Sequence, residues 1–315
     1  MSAISTVAEL EAIYGEQPPL TLGKSISVLD EHCVAFLSFA PFAVLGVQGR
    51  SGAQHSVVVG GDPGTLTAEH ATALRVDVAG GVVPPDVEDG APAGLVALVP
   101  GYGETLRVNG RVRRDGESVV LDVEEAFLHC ARCVTRSKLW RDHQPSELAP
   151  ITMEDSGFDD PHVLAFLGAT SFLTLSSTDA GGHGDVSPKG DDRGFLVPLD
   201  SHRIALPDRP GNRRTDTFRN LLANPAVSLL ALVPGDDRVL EVRGTAHVTT
   251  DPAVRARVQG GGALPELALV IDAERVDLRH EDSLQASGLW RPDRRIAKGA
   301  LPTAGAIWTA HVGAS

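Results

Sequence analysis

Apolar residues in this chain recur in short alternating or β-branched runs, each closed by Gly, Pro or Asp. In the second half the runs are Phe172–Ser176, Gly194–Leu199, Arg203–Leu206, Val227–Val233, Val239–Val248 and Ala268–Val276. Runs this short with turn residues at both ends predict β-strands. Only Thr215–Ala223 in their midst has helical apolar spacing. The pattern predicts a mainly β protein with a few helices (α+β), built from small barrels.

The pattern occurs twice. Leu95-x-Ala97-Leu98-Val99-Pro100-Gly101 with Leu106-x-Val108-x-Gly110 returns 134 positions later as Leu229-x-Ala231-Leu232-Val233-Pro234-Gly235 with Leu240-x-Val242-x-Gly244. Upstream, Asp30-x-His32-x-x-Ala35-Phe36-Leu37 returns at an offset of 130 as Asp160-x-His162-x-x-Ala165-Phe166-Leu167. Downstream, Ser137, Leu139 and Trp140 match Ser287, Leu289 and Trp290 at an offset of 150. Three blocks in one order predict a tandem repeat: residues 1–145 as copy one, 151–295 as copy two, a linker around His143–Ser156, and 296–315 as an extended tail anchored by Ile307-Trp308.

A length of 315 residues suits two such domains, and 42% hydrophobic residues can fill both cores. The net charge of −13 disfavours nucleic acid as a partner. No run approaches the roughly 18 apolar residues of a membrane span, and residues 1–25 are acidic where a signal peptide is basic and apolar. The expectation is a cytoplasmic protein with no membrane partner. Cys33, Cys130 and Cys133 make no disulfide framework.

Against that acidic background, residues 181–224 are basic. Lys189, Arg209, Arg213, Arg214 and Arg219 surround glycine turns just ahead of the Thr215–Ala223 helix. Two arginines at a helix start oppose its dipole by roughly 0.3–1 kcal/mol each, and a phosphate between them would remove that cost. A solvated basic turn is the plain alternative. The order Asp185-Val186-Ser187-Pro188-Lys189-Gly190-Asp191, then Ile204–Leu206 and Pro207-Asp208-Arg209-Pro210-Gly211-Asn212-Arg213, with Asp216-Thr217 and Arg219-Asn220, resembles the pyridoxamine 5′-phosphate oxidase-like flavoproteins. The resemblance covers about a third of the chain and implies FMN-binding split β-barrels, with FMN held between two barrels. It implies phosphate contacts from Lys189, Asn212, Arg213 and Arg214, and ring contacts from Asp185, Val186 and Ser187.

The copies retain different parts. Copy one, over Gln48–Asp89, lacks the phosphate block. It keeps Glu125–Trp140, including His129, Cys130, Arg132, Cys133 and Arg136, which resembles the C-terminal signature of the same branch; copy two has lost that signature. The combination predicts an intrachain pseudo-dimer with one FMN site, made of the copy-two phosphate block and His129, Arg132 and Arg136 of copy one. The implied activity is an FMN-dependent oxidoreductase acting on a small-molecule substrate with a separate electron donor or acceptor. The alternatives are a flavin- or tetrapyrrole-binding module without turnover and a catalytically inactive scaffold. No catalytic residue is singled out, and the chain is read as a monomeric pseudo-dimer or a homodimer. His129-Cys130-x-x-Cys133 is half of a zinc set at most, so no metal is expected and the cysteines are read as small buried hydrophobes. No Ser-His-Asp arrangement supports a hydrolase.

Overall fold

The computed structural model describes residues 3–78, 83–116 and 118–314. Met1, Ser2, residues 79–82, Glu117 and Ser315, which fall within the predicted copy one and tail, lie outside the described residues.

The first half carries β1 (Phe42–Gln48), β2 (Gln54–Gly60), β3 (Leu66–His70), β4 (Ala73–Asp77), β5 (Ala91–Leu98), β6 (Thr105–Asp115) and β7 (Ser118–His129). The second carries β8 (Phe172–Thr178), β9 (Gly184–Gly190), β10 (Val197–Pro198), β11 (Arg203–Pro207), β12 (Ala226–Leu232), β13 (Arg238–Thr249) and β14 (Ala268–His280). Helices are α1 (Val7–Tyr14), α2 (Pro19–Leu22), α3 (Glu31–Phe39), α4 (Arg132–Ser137), α5 (Pro161–Ala169), α6 (Asp216–Ala223), α7 (Pro252–Arg257), α8 (Asp282–Ser287) and α9 (Ala304–Ala314). The strand order is β2-β1-β5-β6-β7-β4-β3 in one sheet and β9-β8-β12-β13-β14-β11-β10 in the other, the same order twice. Every neighbouring pair is antiparallel. A bulge interrupts both sheets at the same repeat position, Asn109/Gly110 and Arg243/Gly244.

The repeated residues have repeated jobs. Asp30 and Asp160 cap α3 and α5, accepting from the backbone N–H of Cys33 and of His162, each at 2.8 Å. Trp140 and Trp290 donate their indole N–H to the carbonyls of Tyr102 and Asp236. The Ser137 and Ser287 hydroxyls donate to the carbonyls of Val134 and Leu284 in their own helices.

The sheets pack on each other, which explains why central strands read as nearly unbroken apolar runs. Alternate side chains of a strand face opposite ways. Leu95 and Ala97 of β5 enter the core of the first half, while Val96 and Leu98 enter a seam. In β12, Leu229 and Ala231 fill the core of the second half, and Leu230 and Leu232 meet the same seam. The seam joins Phe42 to Phe172 and takes Leu139 and Leu289 from the closing segments of both halves. Each closing helix crosses to the other half. A Cβ on Gly190 would lie 2.1 Å from the Cys133 carbonyl oxygen of α4, and one on Gly60 would lie 2.0 Å from that of Ser283 in α8. Only glycine admits this approach of backbone to backbone.

The chain ends cross as well. Ile4 donates to the carbonyl of Val248 at 2.8 Å, and Leu10 of α1 is buried in the second core. At the other end Ile307 enters the first core, and Trp308 donates to the Leu128 carbonyl at 3.0 Å. Residues 304–314 are helical where an extended tail was expected, because Ile307 and His311, one turn apart, bury one face against the first half, with Trp308 beside them. The expected strand Gly194–Leu199 shrinks to Val197–Pro198, since Gly194 has φ +77° and Pro198 has no N–H for a continuing ladder. No helix of the described residues is long and apolar enough to cross a membrane.

Candidate functional site

Where α4 crosses onto β9, the end of β7 meets the loop after β11. His129, Arg132 and Arg136 of the first half, with Lys189 and Arg209 of the second, line a hollow of about 70 Å³. The hollow shares Arg136, Asp191, Phe195, Asp208, Arg209 and Gly211 with a wider cleft of about 850 Å³. The His129–Trp140 segment and the Lys189 strand are therefore neighbours, as the complementary retention of parts predicted.

Positive charge in the hollow is incompletely neutralised. Arg132 and Arg136 lie one helical turn apart and share an uncharged acceptor, the Pro210 carbonyl, at 2.8 and 2.5 Å. The Lys189 ammonium lies 3.6 Å from Asp208 and 5.1 Å from the centre of the Phe218 ring. Arg209 is committed to Asp191 at 2.5 Å. The Nδ1 of His129 is buried without a hydrogen-bond partner among the described residues. Burial, reinforced by Arg107, Lys189 and Arg214, holds the His129 imidazole well below its ordinary pKa, so it is neutral at pH 7.

The other expected residues lie elsewhere. Every nitrogen of the Arg214 guanidinium is engaged: Nε by Asp216, Nη1 by Ser25 at 2.9 Å and Nη2 by Glu125 at 2.6 Å, with the Phe127 ring centre 3.6 Å from its Cζ. Arg214 joins the halves, and Asp216 in the first turn of α6 supplies the negative charge that the helix start requires. Asn212 accepts from the Arg214 backbone N–H at 3.1 Å. Arg213, at φ +58°, is exposed on the wider cleft and does not line the hollow. Asp185, Val186 and Ser187 lie in the seam, 5%, 0% and 7% exposed, and none is on the wall of either cavity. Arg219 pairs with Glu11 at 2.6 Å.

Sequence reasoning missed a row on β6. Thr105, Arg107 and Asn109 alternate with Leu106 and Val108, which point into the first core, so the polar three face β9 across the seam. Arg107 is 1% exposed and ion-paired with Asp185, and burial lowers its pKa to about 10. Asn109 donates to Glu125 at 2.9 Å. The Thr105 hydroxyl, Arg107 Nε and Asn109 Oδ1 are buried without partners among the described residues. In the aligned repeats these three positions read Val239, Glu241 and Arg243 in copy two; that divergence was the available signal. Cys133 packs in the seam, where burial pushes its thiol up to about 12, as suits a small hydrophobe.

Residues 159–280 match the pyridoxamine 5′-phosphate oxidase family. The match lies in the second half, and the first half repeats its strand order, as a tandem duplication of that domain would. Among solved structures, similarity extends to HupZ from Group A Streptococcus, at 17% identity over 36% of this chain and 86% of that one, TM-score 0.30. It also extends to a conserved hypothetical protein from Mycobacterium tuberculosis, at 16% identity over 45% and 93%, TM-score 0.31. A third is the FAD-binding protein from Mycobacterium smegmatis, at 15% identity over 36% and 88%, TM-score 0.26. No curated protein matches the chain.

Proposed function

We propose that the chain is a flavoprotein of the pyridoxamine 5′-phosphate oxidase type that binds one FMN between its two halves and serves as an FMN-dependent oxidoreductase on a small organic substrate. The observation that carries this reading is the hollow at the α4–β9 crossing, where cations from both halves converge and Arg132 and Arg136 have only a carbonyl to share. A phosphate dianion fits that charge, and arginine forks suit its oxygens. The bound flavin would supply the electron transfer. Lys189, Arg132 and Arg136 would neutralise and orient its phosphate, with Arg209 bracing the loop beside it. Neutral His129 would offer Nδ1 to a polar group without adding charge. The buried atoms of Thr105, Arg107 and Asn109 provide hydrogen-bonding capacity in the same seam.

Titration of the protein with FMN tests the reading: quenching of flavin fluorescence should saturate near one equivalent per chain. Mass spectrometry of any cofactor released from the freshly purified protein identifies the flavin, and anaerobic reduction of the bound flavin by a candidate substrate, or anaerobic oxidation of the reduced flavin by one, separates an enzyme from a binding module.

A further inference from the structure

The wider cleft has a wall that copy one lacks. Between β6 and β7 the first half makes a tight turn at Gly116, but the second half places residues 250–267 between β13 and β14. This insert, with α7 and the Gly260-Gly261-Gly262 loop, forms one side of the cleft. It is firmly tied: Arg209 donates to the carbonyls of Gln259 and Ala263 at 2.8 and 3.0 Å, and Arg255 donates to that of Pro265 at 2.6 Å. Arg257 holds the carbonyls of Pro198 and Leu199. The N-terminal arm supplies the remaining wall, where the Tyr14 hydroxyl donates to Asp208 at 2.7 Å. Burial and Asp208 raise the pKa of that phenol, so Tyr14 stays neutral.

Of the cations on this cleft, Arg209 and Arg257 are committed to protein acceptors and Arg136 turns to the Pro210 carbonyl beside the hollow, while Arg193 and Arg213 have no partner among the described residues. Among the acids, Asp191 is taken by Arg209, Asp192 by Lys138 and Asp208 by Tyr14, leaving Glu266 near Tyr14. Arg213 also occupies the left-handed region, a conformation that a non-glycine residue holds at a cost. Phe195, Val197 and Val258 give the same cleft an apolar floor.

We propose that the cleft binds an amphipathic organic anion, a small molecule with an apolar body and one carboxylate or phosphate end, whose charge Arg193 and Arg213 hold and whose size the 250–267 insert limits. This deepens the oxidoreductase reading by naming its substrate class, and it rests on that reading only for the word substrate. A volume of about 850 Å³ leaves room for such a molecule.

Equilibrium dialysis with 3-phenylpropionate, 3-phenylpropyl phosphate, 3-phenylpropanol and 3-phenylpropylamine tests the proposal, because the four share one body and differ in their end group. At least one of the two anions should bind roughly tenfold or more tighter than the alcohol, the scale of one charge-assisted hydrogen bond; which anion wins fixes the end group. Arg193→Gln with Arg213→Gln should erase that preference, and Arg193→Lys should retain part of it. Equal binding of alcohol and anions, or an anion preference that survives the double substitution in protein with an unchanged circular dichroism spectrum, overturns it. If FMN fails to bind but the anion preference holds, the flavin reading falls and the cleft proposal stands. If FMN binds and the preference is absent, the reverse is true.

Discussion

The two places where a closing helix crosses between halves are built on one plan and have opposite chemistry. At the α4–β9 crossing, Lys189, Arg209, Arg132 and Arg136 face a hollow with two acids, Asp208 and Asp191, which leaves Arg132 and Arg136 without a carboxylate partner among the described residues. At the α8–β2 crossing, Val59, Asp282 and Ala286 stand where Lys189, Arg132 and Arg136 stand at the other, and the buried polar groups pair with one another. Glu241, which stands where copy one has Arg107, accepts from Arg279 at 2.8 Å. Arg243, in the place of Asn109, meets His55 at 3.3 Å, and His55 lies 3.4 Å from Asp86. Ser56 and Ser228 hydrogen-bond at 2.8 Å between these groups. After duplication, one site needs to stay open only if a ligand uses it, and the other is free to accumulate pairs that close it. The scaffold constrains both equally, as Gly190 and Gly60 show; the polar residues on that scaffold are where the halves parted.

The largest expected effect concerns the buried pair. Arg107→Leu leaves Asp185 charged and unpaired in the seam, a loss of about 3–5 kcal/mol of stability. Glu241→Leu at the mirrored position leaves Arg279, which is one-third exposed and reaches water, so its cost should be smaller. Chemical denaturation of both variants makes the comparison, and equal losses would contradict it.

Next come the two crossing glycines. Gly190→Ala and Gly60→Ala each force a helix back from a strand, and each should cost about 1–3 kcal/mol by overpacking. Only Gly190→Ala should also weaken FMN binding. Parallel melting curves and FMN titrations decide it, and a comparable loss of FMN affinity in Gly60→Ala would break the asymmetry.

Smaller again is the phosphate contribution. Lys189→Ala with Arg132→Ala should weaken FMN by more than about tenfold and riboflavin hardly at all, since a hydrogen bond to a charged group is worth about 1.5–3 kcal/mol. Arg243→Ala with Arg279→Ala, at the mirrored crossing, should leave both affinities unchanged. Equal losses for FMN and riboflavin would remove the phosphate from the hollow.

The smallest effect is a pH dependence. His129 resists protonation when folded, so the unfolded chain binds the extra proton first, at its ordinary pKa of about 6.5. Stability should be full above that pH and fall as pH drops below it, toward the depressed folded value. His129→Gln should flatten this fall between pH 7 and pH 5 in denaturation experiments; an unchanged slope would mean that His129 does not contribute to it.

How far the sequence could be read depended on the kind of residue. The presence of most strands followed from short alternating apolar runs, and the duplication from Asp30/Asp160 and Trp140/Trp290, because caps and buried indoles have one job wherever they occur. The meeting of His129–Arg136 with Lys189 was legible because each copy had kept what the other had lost. Individual arginines were not. Arg213 and Arg214 are adjacent in the same basic turn, yet one is exposed on a cleft and the other is locked between Glu125 and Asp216. Burial and counter-charge from distant segments decide that, and composition cannot show them. Thr105, Arg107 and Asn109 escaped notice because a polar residue on an alternating strand reads as solvent-facing, and here the second sheet takes the place of solvent. The insert was visible only as the step in repeat offset from 134 to 150.

The measurement that tests the central claim most directly is the stoichiometry of FMN bound to the intact chain, by equilibrium titration at known protein concentration. One equivalent per chain is the predicted result, bound more weakly in Gly190→Ala and with unchanged affinity in Gly60→Ala. Two equivalents would mean that the α8–β2 crossing is also open, and none would mean that the cation-lined hollow does not hold a flavin phosphate.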